Sequence, residues 1–197
     1  MFTQAHISLA RFLANEMQIE QVKNHRFSLS FGSILPDRSP RQRMKDHEFD
    51  QTWEDTKERI RTLEAMTVTD VRDERAVCRQ LGMVLHYLAD YFTRPHNPAY
   101  RDNMIVHSFY EGREAMALYK YLRSPEANAQ FRSRKHVARK ILDDEQLFSY
   151  IEELHKEYLL EETHTPREDI RWIVNVCSVT AVVLMKKVYE DAFRCAR

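Results

Sequence analysis

Apolar residues recur three and four positions apart along almost the whole chain, and that period puts one face of a helix, rather than one face of a strand, into a core. Ile7, Ala10, Leu13 and Met17 follow Thr3, the expected N-cap of a first helix. A second helix is expected from about Asp46 to Ala65. A third is expected from about Asp70 to Phe92, where Val77, Leu81, Val84, Leu85, Leu88 and Phe92 make a wide apolar face. A fourth covers about Met104 to Arg123 and is stopped by Ser124-Pro125. Charged amphipathic segments fill 126 to 162. Thr165-Pro166-Arg167-Glu168 then supplies a cap, a first-turn proline and a capping-box glutamate for an apolar helix from 166 to about 193. Three glycines in 197 residues are too few for a phosphate-binding glycine loop or a turn-dense β-sandwich. The expectation is one all-α domain spanning 1–197, a bundle of about six or seven helices.

Two stretches interrupt the period. Residues 25 to 45 hold a glycine and two prolines and are expected as a long loop, long enough to suspect function. TRPHNPAYRDN, between the third and fourth helices, is expected as a second proline-bearing loop. The most apolar segment, WIVNVCSVTAVVLM, is too short for a membrane span and reads as a buried core helix. At the N-terminus there is no basic start followed by an apolar run and a small-residue cleavage site. Three scattered cysteines, Cys78, Cys177 and Cys195, suggest a reducing compartment and no disulfide framework. A cytoplasmic protein without a stable membrane anchor is expected. Thirty basic residues balance thirty acidic ones, which argues against a chain that works mainly as a polycation on nucleic acid.

The chemistry lies in the histidines. His86 and Asp90 are four apart in the third helix, and His107 and Glu111 repeat that spacing in the fourth. Residues i and i+4 lie one turn apart on one face, so each pair can bind one ion. His96 sits between the pairs, flanked by Pro95 and Pro98; Asp37 follows Pro36, His47 opens the second helix, and His6 lies on the first. Imidazole and carboxylate donors suit Zn²⁺ without a thiolate. Several such groups on helices and loops can assemble two or three ions, which activate a water and clamp the oxygens of a phosphate ester. The metal would bring the positive charge that the neutral polypeptide lacks.

Each element alone has an ordinary explanation. His86 lies among leucines and fits a satisfied core histidine, Asp37 fits a turn, and Glu111 fits a partner of Arg113 or Arg94. Gly82, one turn before His86, fits either close helix packing or a pocket that a side chain would fill. His25, His136, His155 and His164 fall in charged surroundings and are expected to be solvated. Trp53, Phe49, Tyr87, Phe92, Tyr100, Phe109 and Tyr110 cluster near the proposed site, most of them as ordinary core aromatics. Arg38, Arg41, Arg43, Arg132, Arg134 and Lys135 are expected on solvated faces.

LHYLADYFTRPHN followed by HSFYE resembles the central signature of the bacterial zinc-dependent phospholipases C, and GSILPD and DHEFDQTW resemble that family's upstream aspartate and histidine ligands. The resemblance spans residues 6 to 111 with the ligands in the family's order. It implies a phospholipase C-like helical fold in which Asp37, His47, His86 and Asp90 hold one zinc and His96, His107 and Glu111 hold a second. His6 with Asp90 would complete a third site. In the family that third zinc is also held by the amino group and carbonyl of a mature N-terminal tryptophan, whereas this chain begins Met1-Phe2. Asp37 would be both a ligand and the catalytic general base.

The function expected on this basis is a zinc-dependent phosphodiesterase of phospholipase C type, hydrolysing a phosphate ester on the phospholipid headgroup side with a metal-activated hydroxide. Its partner would be a phosphoester substrate, phospholipid ahead of nucleic acid. A nuclease on the same cluster and a non-catalytic metal-binding helical protein are the alternatives. Di-iron carboxylate bundles fit worse, since they need Glu-x-x-His pairs. Phosphohydrolases built on an adjacent His-Asp doublet also fit worse, because here only the reversed Asp46-His47 occurs.

Overall fold

The computed structural model describes residues 1–38, 47–100 and 103–189, and no strand occurs among them. In chain order the helices are α1 (Thr3–Met17), α2 (Glu20–Asn24), α3 (Arg26–Gly32), α4 (Leu35–Arg38), α5 (Phe49–Glu64), α6 (Val71–Tyr91), α7 (Met104–Tyr121), α8 (Pro125–Ala138), α9 (Asp144–Leu159) and α10 (Pro166–Val188). Two 3₁₀ turns, Arg94–His96 and Pro98–Tyr100, lie between α6 and α7. The all-α expectation holds.

Seven of the helices among the described residues have 14 residues or more, as expected; α2, α3 and α4 are short additions, and α3 and α4 lie in the segment expected as a loop. Pro36 falls in the first turn of α4, where its missing N–H has no intrahelical acceptor to lose. Gly32 is the last residue of α3, followed by a turn at Ser33–Ile34, and lies against the backbone of Arg79 on α6. Residues 39–45 of the expected loop lie outside the described residues, as do Arg41, Arg43 and Cys195. Thr3 is the first residue of α1 and not its cap; Phe2 takes the extended cap position and makes no side-chain cap bond. The second helix begins at Phe49, after Glu48, and its expected start at Asp46 lies outside the described residues. At Thr165 the capping box forms as expected.

Helices α6 and α10 form the centre, packed on each other and surrounded by α1, α3, α5, α7 and α8. Leu81, Leu85 and Leu88 of α6 and Ile173, Val176, Val179 and Leu184 of α10 are fully or almost fully buried. Each such side chain contributes about 1.5–3 kcal/mol on leaving water. These contacts offset the cost of burying His86 and Asp90 on the same helix. Cys78 and Cys177 are free thiols in this core. No helix among the described residues is long and apolar enough to cross a membrane.

A glycine contact sets the distance between α3 and α6. A Cβ on Gly82 would stand 2.3 Å from the Leu29 carbonyl oxygen and 2.6 Å from the Ser33 nitrogen. One on Gly32 would stand 2.1 Å from the Arg79 carbonyl oxygen. Close helix packing therefore accounts for Gly82.

Candidate metal centre

The tight approach of α3 delivers the Ser33 carbonyl to His86. That carbonyl can only accept, so the His86 Nδ1–H donates to it at 2.9 Å and the Nε2 lone pair is left pointing away. Nε2 lies 3.0 Å from His47 Nδ1, 3.3 Å from Asp90 Oδ2 and 3.5 Å from Asp37 Oδ1. His47 Nδ1 in turn lies 3.0 Å from Asp90 Oδ2 and 3.8 Å from Asp37 Oδ1. Donors bound tetrahedrally at about 2.0–2.1 Å stand about 3.3–3.4 Å apart, which falls within this spread. Asp37 arrives on α4 and His47 from just before α5, so four donors from three parts of the chain meet at one point. The outer bond from Nδ1 to a carbonyl is the arrangement that fixes the tautomer of a metal-binding imidazole.

A second group forms beside it. His96 sits at the end of the Arg94–His96 turn, and its Nε2 is 3.4 Å from Glu111 Oε1; His107 Nε2, one turn earlier than Glu111 on α7, is 3.3 Å from the same oxygen. These donors all lie within 4.8 Å of one another. Glu111 faces the two histidines, and not Arg113 or Arg94 as the plainer reading had it.

His6 completes the picture. Its Nε2 is buried, makes no hydrogen bond and lies 3.3 Å from Asp90 Oδ1, while its ring stacks on His86 at 4.0 Å. His6, Asp37 and His86 also form a group of donors within 4.8 Å. The Met1 amine stands 2.9 Å from Asp90 Oδ1, 3.0 Å from Glu111 Oε1 and 3.3 Å from His96 Nε2. The two oxygens of Asp90 thus face different groups, Oδ2 toward His47 and His86, Oδ1 toward His6 and Met1. All eight residues singled out from the sequence come together.

Their protonation suits a cation. Burial alone raises the Asp90 carboxyl, but the Met1 amine and the rings of His96, His86 and His6 outweigh it and hold the group well below the usual range. Burial likewise raises Glu111, yet the hydrogen bond from His96 and the Met1 amine bring it down to about 2. Burial pushes His86 well below the usual imidazole value, with His6 adding to the effect, and lowers His96. Ionised carboxylates and neutral imidazoles are the forms that bind metal. His47 and Asp37 are the exceptions. Burial lowers the His47 imidazole, but its hydrogen bond to Asp90 and the charges of Asp90 and Asp37 outweigh that and raise it. Burial and the nearby Asp90 raise the Asp37 carboxyl, and its side chain is 35% exposed where those of His47, His86 and Asp90 are buried.

Several contributors were not singled out from the sequence. Asp169, buried in the first turn of α10, accepts at Oδ2 from the Arg94 backbone N–H (2.9 Å) and the Tyr110 hydroxyl (2.7 Å), and at Oδ1 from the Tyr158 hydroxyl (3.0 Å). It ties α10 to the turn carrying His96 and to the helix carrying Glu111. An acidic residue in a first helical turn reads only as a favourable end charge, so sequence gave it no other signal. Glu114, one turn beyond Glu111, is fully buried, and burial pushes its carboxyl up to about 8.

Two of the four histidines expected in solvent are instead buried. His155 stacks on Phe49 at 4.0 Å and 9°, on the inner face of α9, and burial lowers it to about 4. His164 packs edge-on to Tyr158 at 4.5 Å. His25 pairs with Glu74 at 2.8 Å and His136 is exposed. Trp53, Tyr87, Phe92 and Tyr110 are core aromatics, with Tyr87 edge-on to both His47 and His86; Phe109 is exposed.

A family model described as zinc dependent phospholipase C matches residues 5–165. No curated protein and no solved structure matches the chain.

Proposed function

Because the chain belongs to the zinc-dependent phospholipase C family, we propose that it is a zinc phosphodiesterase that cleaves a phosphate ester on the headgroup side of a phospholipid. Asp37, His47, His86 and Asp90 would hold one ion, and His96, His107 and Glu111 a second. His6 and Asp90 Oδ1 would contribute to a third. The observation that carries this reading is the 3.0–3.8 Å spacing of the donor atoms of Asp37, His47, His86 and Asp90.

Zinc at these positions supplies positive charge for the phosphate oxygens and lowers the pKa of a water. The remaining work falls to the chain. Asp37, with Oδ1 toward His47 and His86, would take the proton of the attacking water, and burial with the nearby Asp90 keeps its carboxylate basic. Asp90 and Glu111 hold the histidines in place. The free, buried Cys78 and Cys177 fit a reducing compartment and so a cytoplasmic location.

Release of a phosphorylated headgroup from phosphatidylcholine, measured beside digestion of single-stranded DNA, tests the assignment. Headgroup release that stops on chelation and falls at least about 100-fold in Asp37→Asn supports it. Digestion of DNA alone would make the protein a nuclease on the same cluster. Bound zinc with no turnover of either would leave a metal-binding helical protein.

A further inference from the structure

Helix α7 is turned inside out. Its core side carries His107, Tyr110, Glu111, Glu114 and Leu118, while the opposite side presents Ile105, Phe109, Met116 and Tyr119, spaced three, four and seven apart on one stripe. Met104, Ile105, Phe109 and Met116 are 83%, 81%, 69% and 65% exposed. Phe2, also exposed, lies next to Gly112 on that stripe and extends it. The donor groups take the inner side, so the large apolar residues of α7 are left in water.

We propose that this outer face of α7 is a docking surface for an anionic phospholipid bilayer, an inference that rests on the phospholipid reading above. The charge pattern selects the occupant. The acidic residues of α7, Glu111 and Glu114, are both buried, whereas Arg113, Lys120 and, just past the helix, Arg123 are exposed beside the apolar stripe. Large apolar side chains flanked by basic ones, with no exposed carboxylate, are the composition of a helix that lies in a lipid headgroup layer. A second copy of the same face would instead oppose Arg113 and Lys120 with like charges. Position agrees as well. Met104, Ile105 and Val106 precede His107 on the first turn, and the His107 side chain is 33% exposed. The apolar surface therefore borders the open edge of the second donor group, where a headgroup would enter.

Co-sedimentation of the full chain with vesicles tests this without requiring turnover. Vesicles of phosphatidylcholine mixed with phosphatidylglycerol should bind the protein more tightly than phosphatidylcholine alone, and less tightly as salt is raised. The I105E/F109E variant should bind about tenfold or more weakly while cleaving a monomeric, water-soluble phosphodiester at the wild-type rate. R113E/K120E, which leaves the apolar stripe intact, should lose the preference for phosphatidylglycerol. The inference is overturned if the wild type ignores both kinds of vesicle, or if both variants bind like the wild type. It is also overturned if the face pairs two copies in solution and I105E/F109E only dissociates them. Vesicle binding with no hydrolysis of any phosphodiester would instead remove the enzymatic reading and leave the docking surface standing.

Discussion

The Nδ1–H of His86 donates to the Ser33 carbonyl at 2.9 Å, and this bond is possible only because two glycines let α3 close on α6. Gly82→Ala would drive a methyl into the Leu29 carbonyl and the Ser33 nitrogen. We expect a stability loss of about 1–3 kcal/mol in chemical denaturation and weaker zinc binding through the displaced Ser33 carbonyl. Gly112→Ala is the control. The nearest atom to its new methyl is Phe2 Cε2 at 3.6 Å, so this substitution should be neutral or stabilise by up to about 1 kcal/mol.

Asp169 holds the His96 turn and α7 from behind. Asp169→Asn keeps the shape but leaves a single acceptor for three donors. Zinc or cobalt titration should show the affinity of the His96, His107 and Glu111 group falling by about 10–100-fold, with the group around His86 retained. Equal weakening of both groups would mean that Asp169 acts on the fold as a whole.

The spacing rules were enough to pick out donors that the fold gathers and not enough to orient their helices. His86 with Asp90 and His107 with Glu111 are visible as i, i+4 pairs, and the structure brings all eight candidates together. Periodicity alone would turn the Ile105, Phe109 and Met116 stripe of α7 inward, since it weighs apolar residues and not the buried donor groups that reverse the helix. His155 and His164 stand among charged neighbours in sequence, yet His155 lies on the inner face of α9 and His164, in the connection to α10, packs edge-on to Tyr158. Ser33 was invisible for a different reason: its contribution is a backbone carbonyl, which every residue has.

His155 should leave a mark on the pH dependence of stability. Its folded-state pKa, about 4, lies below the unfolded value of about 6.5, so the unfolded chain binds the extra proton first as pH falls. Stability from the neutral buried ring is complete above about pH 6.5 and is lost between there and about pH 4. In chelator, denaturation curves across that window should show a decline of up to about 3 kcal/mol, which His155→Phe flattens. An unchanged slope in the variant would assign the decline to other groups.

The central claim is that these donors hold zinc, and metal analysis of protein purified without added metal tests it most directly. About two to three zinc ions per chain are expected, with His86→Ala and His107→Ala each removing part of that content, and a melting temperature lowered by roughly 10 °C or more in chelator. Protein that carries no zinc and takes up none on titration, or a metal content unchanged in both variants, would contradict it.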